Sequence, residues 1–133
     1  MQRFMLKSKI QEARVTSKEI YYAGSLAIDV DLMEAADLVA GEQIHVFDVT
    51  NGARLVTYAI PAPKGSGTIS VKGAAARLIE EGDVILIASY GLIEEDELSA
   101  YSHRIVYVDE RNHLLRVEDR TDEDYLASEP GRE

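Results

Sequence analysis

The fold class is decided by two β-rich runs, Ile44-His45-Val46-Phe47-Asp48-Val49 and Leu55-Val56-Thr57-Tyr58-Ala59-Ile60, which flank the tripeptide Thr50-Asn51-Gly52. Branched and aromatic side chains of this kind favour strands. An Asn-Gly pair between two such runs is typical of a two-residue hairpin loop, in which both central residues have φ > 0. We therefore predict a β-hairpin that turns at Asn51-Gly52.

Working outward, short strands and short helices alternate along the chain. The run Val84-Ile85-Leu86-Ile87-Ala88 is entirely apolar and is predicted to be a central strand. Further strands or extended segments are predicted around Val15-Thr16 and over 21–30 (interrupted at Gly24-Ser25), 68–71, 105–108 and 114–117, and short helices over 31–38, 73–79 and 94–101.

A weak internal repeat joins two of these segments. The first copy is a short helix followed by Gly41-Glu42 and a strand from Ile44. The second copy is a short helix followed by Gly82-Asp83 and a strand from Val84. The repeat is compatible with a pseudo-symmetric barrel and also with chance similarity, because two copies alone do not distinguish these explanations. Many short strands with glycine-rich turns favour a mainly β fold, a small closed barrel.

Composition limits the function classes. The chain has 133 residues, a formal net charge of −10 and no cysteine, which excludes disulfides, thiolate metal sites and a thiol nucleophile. The negative charge disfavours nucleic acid and anionic membranes as partners. No apolar run is long enough to span a bilayer, so a cytoplasmic protein with no membrane partner is expected. We predict one domain over 1–117 and an acidic, disordered tail over 118–133.

The usual catalytic and metal-binding patterns do not occur. His45, His103 and His113 lack metal-ligand spacing, and no metal site is predicted. His45 lies in a predicted strand and is interpreted as a residue at the edge of the core. Ser25 is not in the GxSxG pattern of serine hydrolases.

Ser25 nevertheless has one chemical option that follows from its predecessor. Gly24 permits strained backbone angles that let the Ser25 hydroxyl fold back onto the preceding carbonyl carbon. An intramolecular attack of this kind can break the peptide bond and leave a pyruvoyl group at position 25. Gly-Ser pairs are too common to predict this alone, and a simple turn is the alternative.

The residues around Gly24-Ser25 make the prediction specific. Tyr22-x-Gly24-Ser25-x-Ala27-Ile28-Asp29 is followed by further blocks in one order and spacing: Val49-Thr50-Asn51-Gly52-x-Arg54-x-x-Thr57-Tyr58-Ala59-Ile60, Gly65-Ser66, Ile69-Ser70-Val71-x-Gly73-Ala74-Ala75-Ala76 and Gly82-Asp83-x-x-x-Ile87-Ala88-Ser89. Over about residues 1–117 the chain resembles the aspartate 1-decarboxylase family of pyruvoyl-dependent enzymes.

The resemblance implies a double-psi β-barrel and a homotetramer with active sites between neighbouring protomers. It implies a zymogen that cleaves itself between Gly24 and Ser25 into chains 1–24 and 25–133, and a covalent pyruvoyl cofactor derived from Ser25. The ketone of that group would form a Schiff base with L-aspartate and accept electrons as the α-carboxylate leaves. The product, β-alanine, would serve pantothenate and coenzyme A biosynthesis.

The resemblance also assigns site residues. Arg54 would clamp a substrate carboxylate, and Tyr58 would return a proton to the reacting carbon. The segment Gly73, Ala74 and Ala75 would contact the substrate, Lys9 would hold its second carboxylate, and Thr57 is associated with processing and substrate contact. Strand alternation places Thr57 on the face opposite Arg54 and Tyr58. Either the strand bulges, or Thr57 faces a site at the protomer boundary.

Two positions depart from the family pattern. Lys72 stands where the family normally has Asn, and Gln11 stands where bacterial members often have His. Lys72 could bind a substrate carboxylate or disturb the geometry of cleavage. The alternative function is therefore a family-derived binding or assembly subunit that no longer processes itself.

Overall fold

The structure is a computed structural model, and it describes residues 1–121 and 124. Within these residues, nine strands and three short helices follow one another in the order β1 (Gln2–Arg14), β2 (Ser17–Glu19), β3 (Ser25–Asp29), α1 (Val30–Ala35), β4 (Gln43–Asp48), β5 (Arg54–Ala62), β6 (Ile69–Lys72), α2 (Gly73–Arg77), β7 (Val84–Glu94), α3 (Glu95–Ala100), β8 (His103–Val108) and β9 (Leu114–Arg120). The helices α2 and α3 are 3-10 helices. None of the helices in the described residues is long and apolar enough to cross a membrane.

The sheet has the strand order β2-β6-β3-β5-β4-β7-β1-β8-β9 and closes on itself through the first two strands. Strand β1 pairs with β7, and its continuation β2 pairs with β6 at the other end of the order. Between them, Val15 N–H donates to Asp83 at 2.9 Å and Thr16 N–H donates to Ile69 at 2.8 Å. The predicted fold class, a small mainly β barrel with short helices, is confirmed.

Alternation along the strands fills the barrel. Inward positions of β4 and β7 carry Ile44, Val46, Ile85 and Ile87, all at most 1% exposed. Strand β7 pairs with both β1 and β4, which confirms its predicted central position. Helix α1 adds Leu32 and Met33 to the same apolar core.

The internal repeat is visible in the hydrogen bonds of the two acidic glycine turns. Gly41 N–H donates to Ala59, whose own N–H donates to Glu42. In the second turn Gly82 N–H donates to Val15, whose N–H donates to Asp83. Each turn exchanges the same pair of backbone hydrogen bonds with one residue of another segment, so the repeat in the sequence corresponds to a repeat in the structure.

The hairpin forms as predicted, but its loop does not. Five residues, 49–53, separate β4 from β5, and Gly52 is the only one of them with a positive φ. The Asp48 carboxylate organises the loop, because its Oδ1 accepts hydrogen bonds from the N–H groups of Thr50 and Asn51 at 2.9 and 3.1 Å. The prediction of a two-residue loop was therefore wrong.

Two further polar side chains tie distant turns together. Asp29 caps α1 by accepting from Asp31 N–H, and it also accepts from the N–H groups of Gly65 and Gly67. The Asn112 side chain, 1% exposed, accepts from Arg14 N–H and donates to the carbonyls of Arg14 and Gly67, each at 2.8 Å. These bonds fasten the β8–β9 turn and the loop before β6 to the barrel wall.

The last strand crosses the predicted boundary at residue 117. Strand β9 continues to Arg120, and Arg104 pairs in register with Asp119. Most of the predicted disordered tail, residues 122–123 and 125–133, lies outside the described residues.

Candidate active site

The Gly24–Ser25 bond lies where the chain enters β3. Gly24 has φ = +96°, a conformation that side chains rarely permit. Ser25 is paired with Lys72 of β6 and is 1% exposed, and its Oγ has no hydrogen-bond partner in the described part of the chain. A buried hydroxyl without a partner is costly for stability, so this group is a candidate for chemistry.

Gly73 forms the support beneath this bond. Its φ is +75°, and a Cβ built on it would lie 2.6 Å from Gly24 Cα and 2.8 Å from Gly24 N. The same Cβ would lie 3.0 Å from the Tyr22 carbonyl oxygen. Only glycine fits here, because the backbone before the Gly24–Ser25 bond rests directly on the backbone of Gly73.

A cavity of about 240 Å³ opens beside this contact. Strand β3 pairs with β5 only from Leu26 and Ala59 onward, so the edge of β5 from Arg54 to Tyr58 is not covered by β3. The cavity occupies that gap. Its lining residues are Gly24, Leu55, Val56, Thr57, Lys72, Ala74, Ala75 and Leu78. Thr57, Ala74 and Ala75 therefore line the same cavity as Gly24.

Arg54 and Tyr58 are not among the residues that line this cavity. The pairing of β4 with β5 is regular from Phe47–Arg54 to Gln43–Tyr58, so β5 has no bulge there. Arg54 lies with its guanidinium carbon 5.4 Å from the centroid of the Phe47 ring, and Tyr58 is 39% exposed. Both side chains therefore belong to the outer face of the sheet, and the bulge interpretation is excluded.

Lys9 shares this outer face. In the sheet, Val56 is paired with His45, His45 with Ala88, and Ala88 with Lys9. Directly paired residues point to the same face, and three strand spacings put Lys9 about 14 Å from β5. Burial, with Arg120 nearby, lowers the pKa of Lys9 below its ordinary value. Lys9, Arg54 and Tyr58 thus lie on the outer face and do not line the cavity that Gly24 borders, although Val56 of the same face does.

The outer face also carries a larger cavity, of about 520 Å³, which the sequence did not indicate. Phe4, Glu42, Gln43, His45 and Tyr90 line it, and the rings of His45 and Tyr90 meet edge to face at 4.8 Å. Gln43 is paired with Tyr58, so this cavity adjoins the proposed proton donor. His45, predicted to lie at the edge of the core, is half-buried at this cavity.

Lys72 is the last residue of β6, which pairs with β2 on one side and with β3 on the other. Its Nζ is 3.5 Å from the Glu19 carboxylate and 4.7 Å from the centroid of the Tyr22 ring, and its side chain is 14% exposed. No local pattern indicated these contacts, because Glu19 reaches Lys72 only through the pairing of β2 with β6. Among the described residues, no three His, Asp or Glu side chains cluster in a way that could hold a metal ion.

Comparison with known proteins identifies the family. Residues 1–115 match the family model described as aspartate decarboxylase. The chain belongs to the aspartate decarboxylase family. It is 49% identical over 117 residues to the aspartate 1-decarboxylase of Moorella thermoacetica, a match that covers 88% of this chain and 91% of that protein. The family match spans every residue discussed above at the Gly24–Ser25 bond, in the cavity beside it and on the outer face of β5.

Proposed function

We propose that this member of the aspartate decarboxylase family cleaves itself between Gly24 and Ser25 and then decarboxylates L-aspartate at its α-carboxylate, giving β-alanine and carbon dioxide for pantothenate and coenzyme A biosynthesis. The observation that carries the proposal is the buried Ser25 hydroxyl, which has no partner in the described residues and directly follows a glycine at φ = +96°. The preceding residue, Gly24, lines a cavity of about 240 Å³.

Cleavage needs only groups of this chain and water. The Ser25 Oγ attacks the Gly24 carbonyl carbon, and transfer of the acyl group from nitrogen to oxygen gives an ester and a free Ser25 amine. Elimination releases the 1–24 chain as a carboxylate, and addition of water with loss of ammonia leaves a pyruvoyl group at position 25. Tight packing of Gly24 on Gly73 fixes the carbonyl for this attack.

The site residues fit the formed group. When present, the pyruvoyl ketone supplies an electron sink for loss of the substrate carboxylate. Ala74 and Ala75 have side chains small enough to leave the backbone N–H groups beside the cavity accessible to a carboxylate. Thr57 lines the same cavity and offers a hydroxyl to the substrate.

Arg54, Tyr58 and Lys9 act from a neighbouring protomer in this proposal. They lie on the outer face and do not line the cavity of their own chain, and in this proposal they reach a pyruvoyl group when the outer face of one copy covers the cavity of the next. A homotetramer with sites between protomers provides that arrangement. Arg54 then clamps a carboxylate with paired charge-assisted hydrogen bonds, Lys9 holds the other carboxylate, and Tyr58 returns a proton to the reacting carbon.

Intact mass of the purified protein tests the cleavage. We expect two chains, 1–24 and 25–133, the second with a pyruvoyl group instead of an amine, and a single uncut chain for Ser25→Ala. The chain contains a matched control in Gly65-Ser66, where the glycine also has a positive φ but Ser66 is exposed and accepts a hydrogen bond from Thr68 N–H. Ser66→Ala should cleave like the parent protein.

The shared site has its own test. Ser25→Ala and Arg54→Ala proteins should each be inactive, and co-expression should restore β-alanine formation because some sites combine an intact Ser25 with an intact Arg54. No recovery in co-purified mixed assemblies would contradict a site between protomers.

The alternative, a subunit that no longer processes itself, is distinguished by Lys72→Asn. If the parent chain stays whole after long incubation and Lys72→Asn cleaves, the alternative is correct for this chain. If the parent chain cleaves and forms β-alanine, the alternative is wrong.

A further inference from the structure

The Lys72 ammonium group contacts the segment that precedes the proposed cleavage bond at two residues. Lys72 lies between Glu19, at the end of β2, and Tyr22, two residues before Gly24. The carboxylate attracts the ammonium group directly, and the face of the Tyr22 ring attracts it through its quadrupole. The Lys72 side chain is only 14% exposed, whereas the Glu19 side chain is 58% exposed.

These contacts act on the backbone that rests on Gly73. The Tyr22 carbonyl and the Gly24 backbone both lie against Gly73, which directly follows Lys72 in the chain. Lys72 is also the register partner of Ser25 in the pairing of β3 with β6. One residue therefore links the segment before the bond, through Glu19 and Tyr22, and the strand after it, through backbone pairing.

We propose that Lys72 is a positioning residue for self-cleavage, which holds the 19–24 segment through Glu19 and Tyr22 so that the Gly24 carbonyl stays within reach of the Ser25 hydroxyl. The inference rests on the proposed function, since it concerns the rate of that cleavage. Lys72 takes no part in bond breaking. Its effect is on the fraction of time that the bond spends in the reactive geometry.

The experiment follows the cleavage rate of newly purified, uncut full-length protein by intact mass. Lys72→Met keeps the length of the side chain and removes its charge, and we expect cleavage about five- to thirtyfold slower, equivalent to the loss of about 1–2 kcal/mol of ion-pair and cation–π attraction. Lys72→Arg keeps both contacts and should cleave close to the parent rate. Glu19→Gln and Tyr22→Leu should each give part of the Lys72→Met effect.

A neighbouring ion pair supplies the matched control. Lys18, next to Glu19, pairs with Glu80 at 2.7 Å, and the Glu19 and Glu80 side chains are similarly exposed at 58% and 65%. Glu80→Gln removes one exposed carboxylate from a lysine on β2 without touching the 20–24 segment, and it should leave the cleavage rate unchanged. Thermal unfolding of all variants separates an effect on cleavage from a general loss of stability.

Two outcomes overturn the proposal. If the parent protein cleaves and Lys72→Met cleaves at the same rate, Lys72 does not position the bond, although the proposed function stands. If Glu80→Gln slows cleavage as much as Glu19→Gln, the effect is a non-specific loss of charge. If the parent protein never cleaves, the proposed function itself is wrong. This result is distinguishable from the two outcomes above, in both of which the parent protein cleaves.

Salt gives a readout that a purely structural role would not change. Because the Glu19 carboxylate is more than half exposed, salt weakens its attraction to Lys72. Cleavage of the parent protein should slow as salt rises, and cleavage of Lys72→Met should not. Equal salt dependence in the two proteins would contradict the ion-pair part of the proposal.

Discussion

Gly73→Ala is the substitution for which the structure gives the clearest energetic expectation. Alanine at φ = +75° costs about 1–2 kcal/mol of backbone strain. The new Cβ would also lie 2.6 and 2.8 Å from two backbone atoms of Gly24, which cannot rotate away as a side chain would. Overpacking of this kind costs about 1–3 kcal/mol. We therefore expect Gly73→Ala to lose about 2–5 kcal/mol of unfolding free energy in the uncut chain.

The assay is urea unfolding in a Ser25→Ala background, so that every molecule keeps the 24–25 bond. Gly82→Ala is the matched control, because Gly82 has φ = +91° and a Cβ added there would have no neighbouring atom within 4 Å. It measures backbone strain alone and should lose only about 1–2 kcal/mol. The additional loss of unfolding free energy in Gly73→Ala, relative to Gly82→Ala, measures the clash between the new Cβ and the Gly24 backbone.

The same substitution in the Ser25 protein reports on cleavage. The clash would push the Gly24 backbone away from its support, so we expect cleavage to slow by far more than in Gly82→Ala. An equal loss of stability in Gly73→Ala and Gly82→Ala, with equal cleavage rates, would refute the reasoning that Gly73 supports the bond.

Three further predictions concern the polar groups that tie the turns together. Burial opposes the shift, but hydrogen bonds from backbone N–H groups lower the pKa of Asp29. The stabilisation by the Asp29 carboxylate is therefore lost as pH falls through its folded-state pKa. Asp29→Asn should be less stable at neutral pH, and its unfolding free energy should fall less steeply in acid. Burial and the adjacent Asp83 carboxyl raise the pKa of Asp48, so its contribution is present in acid and lost as pH rises through the folded-state pKa. Asp48→Asn cannot ionise at this position, so it should remove that loss, and an unchanged slope of unfolding free energy against pH would contradict the raised pKa of Asp48. Asn112→Gly keeps the backbone freedom needed at φ = +64° but removes the three hydrogen bonds of a buried side chain. Urea unfolding should show a loss of about 2–4 kcal/mol of unfolding free energy. Substitution of the neighbouring, exposed Arg111 by Ala should lose little.

The sequence predicted the strands of the hairpin and missed the form of its loop for one physical reason. Local pattern identifies Asn51-Gly52 as a turn, but the conformation is set by the Asp48 carboxylate, which is 2% exposed. Asp48 is buried where β4 pairs with β7, and its register partner is Ile85, 37 positions later in the chain. The loop sequence does not show that a buried carboxylate stands at its start, so it does not predict the conformation of the loop.

Lys72 illustrates the same limit at the candidate site. The family pattern marked it as a departure, and the sequence left open whether it would bind substrate or disturb cleavage. Its two partners lie about 50 positions earlier in the chain and meet it through long-range strand pairing and packing. By contrast, the separation of Thr57 from Arg54 and Tyr58 follows from strand alternation alone, and the regular register of β4 and β5 confirms it.

This separation has a consequence for assembly. Under the proposed shared site, the outer face that carries Lys9, Arg54 and Tyr58 must cover the cavity of another copy. The same face exposes three large apolar side chains, Phe4 at 77%, Val56 at 58% and Leu92 at 52%. Exposed apolar patches of this kind are typical of protein–protein contact surfaces. Burial of those groups against a neighbouring barrel would stabilise the assembly and would bring Arg54 and Tyr58 to the second cavity in the same step. Substitutions on this face should therefore lower assembly and activity together, whereas Ser25→Ala should abolish activity and leave assembly intact.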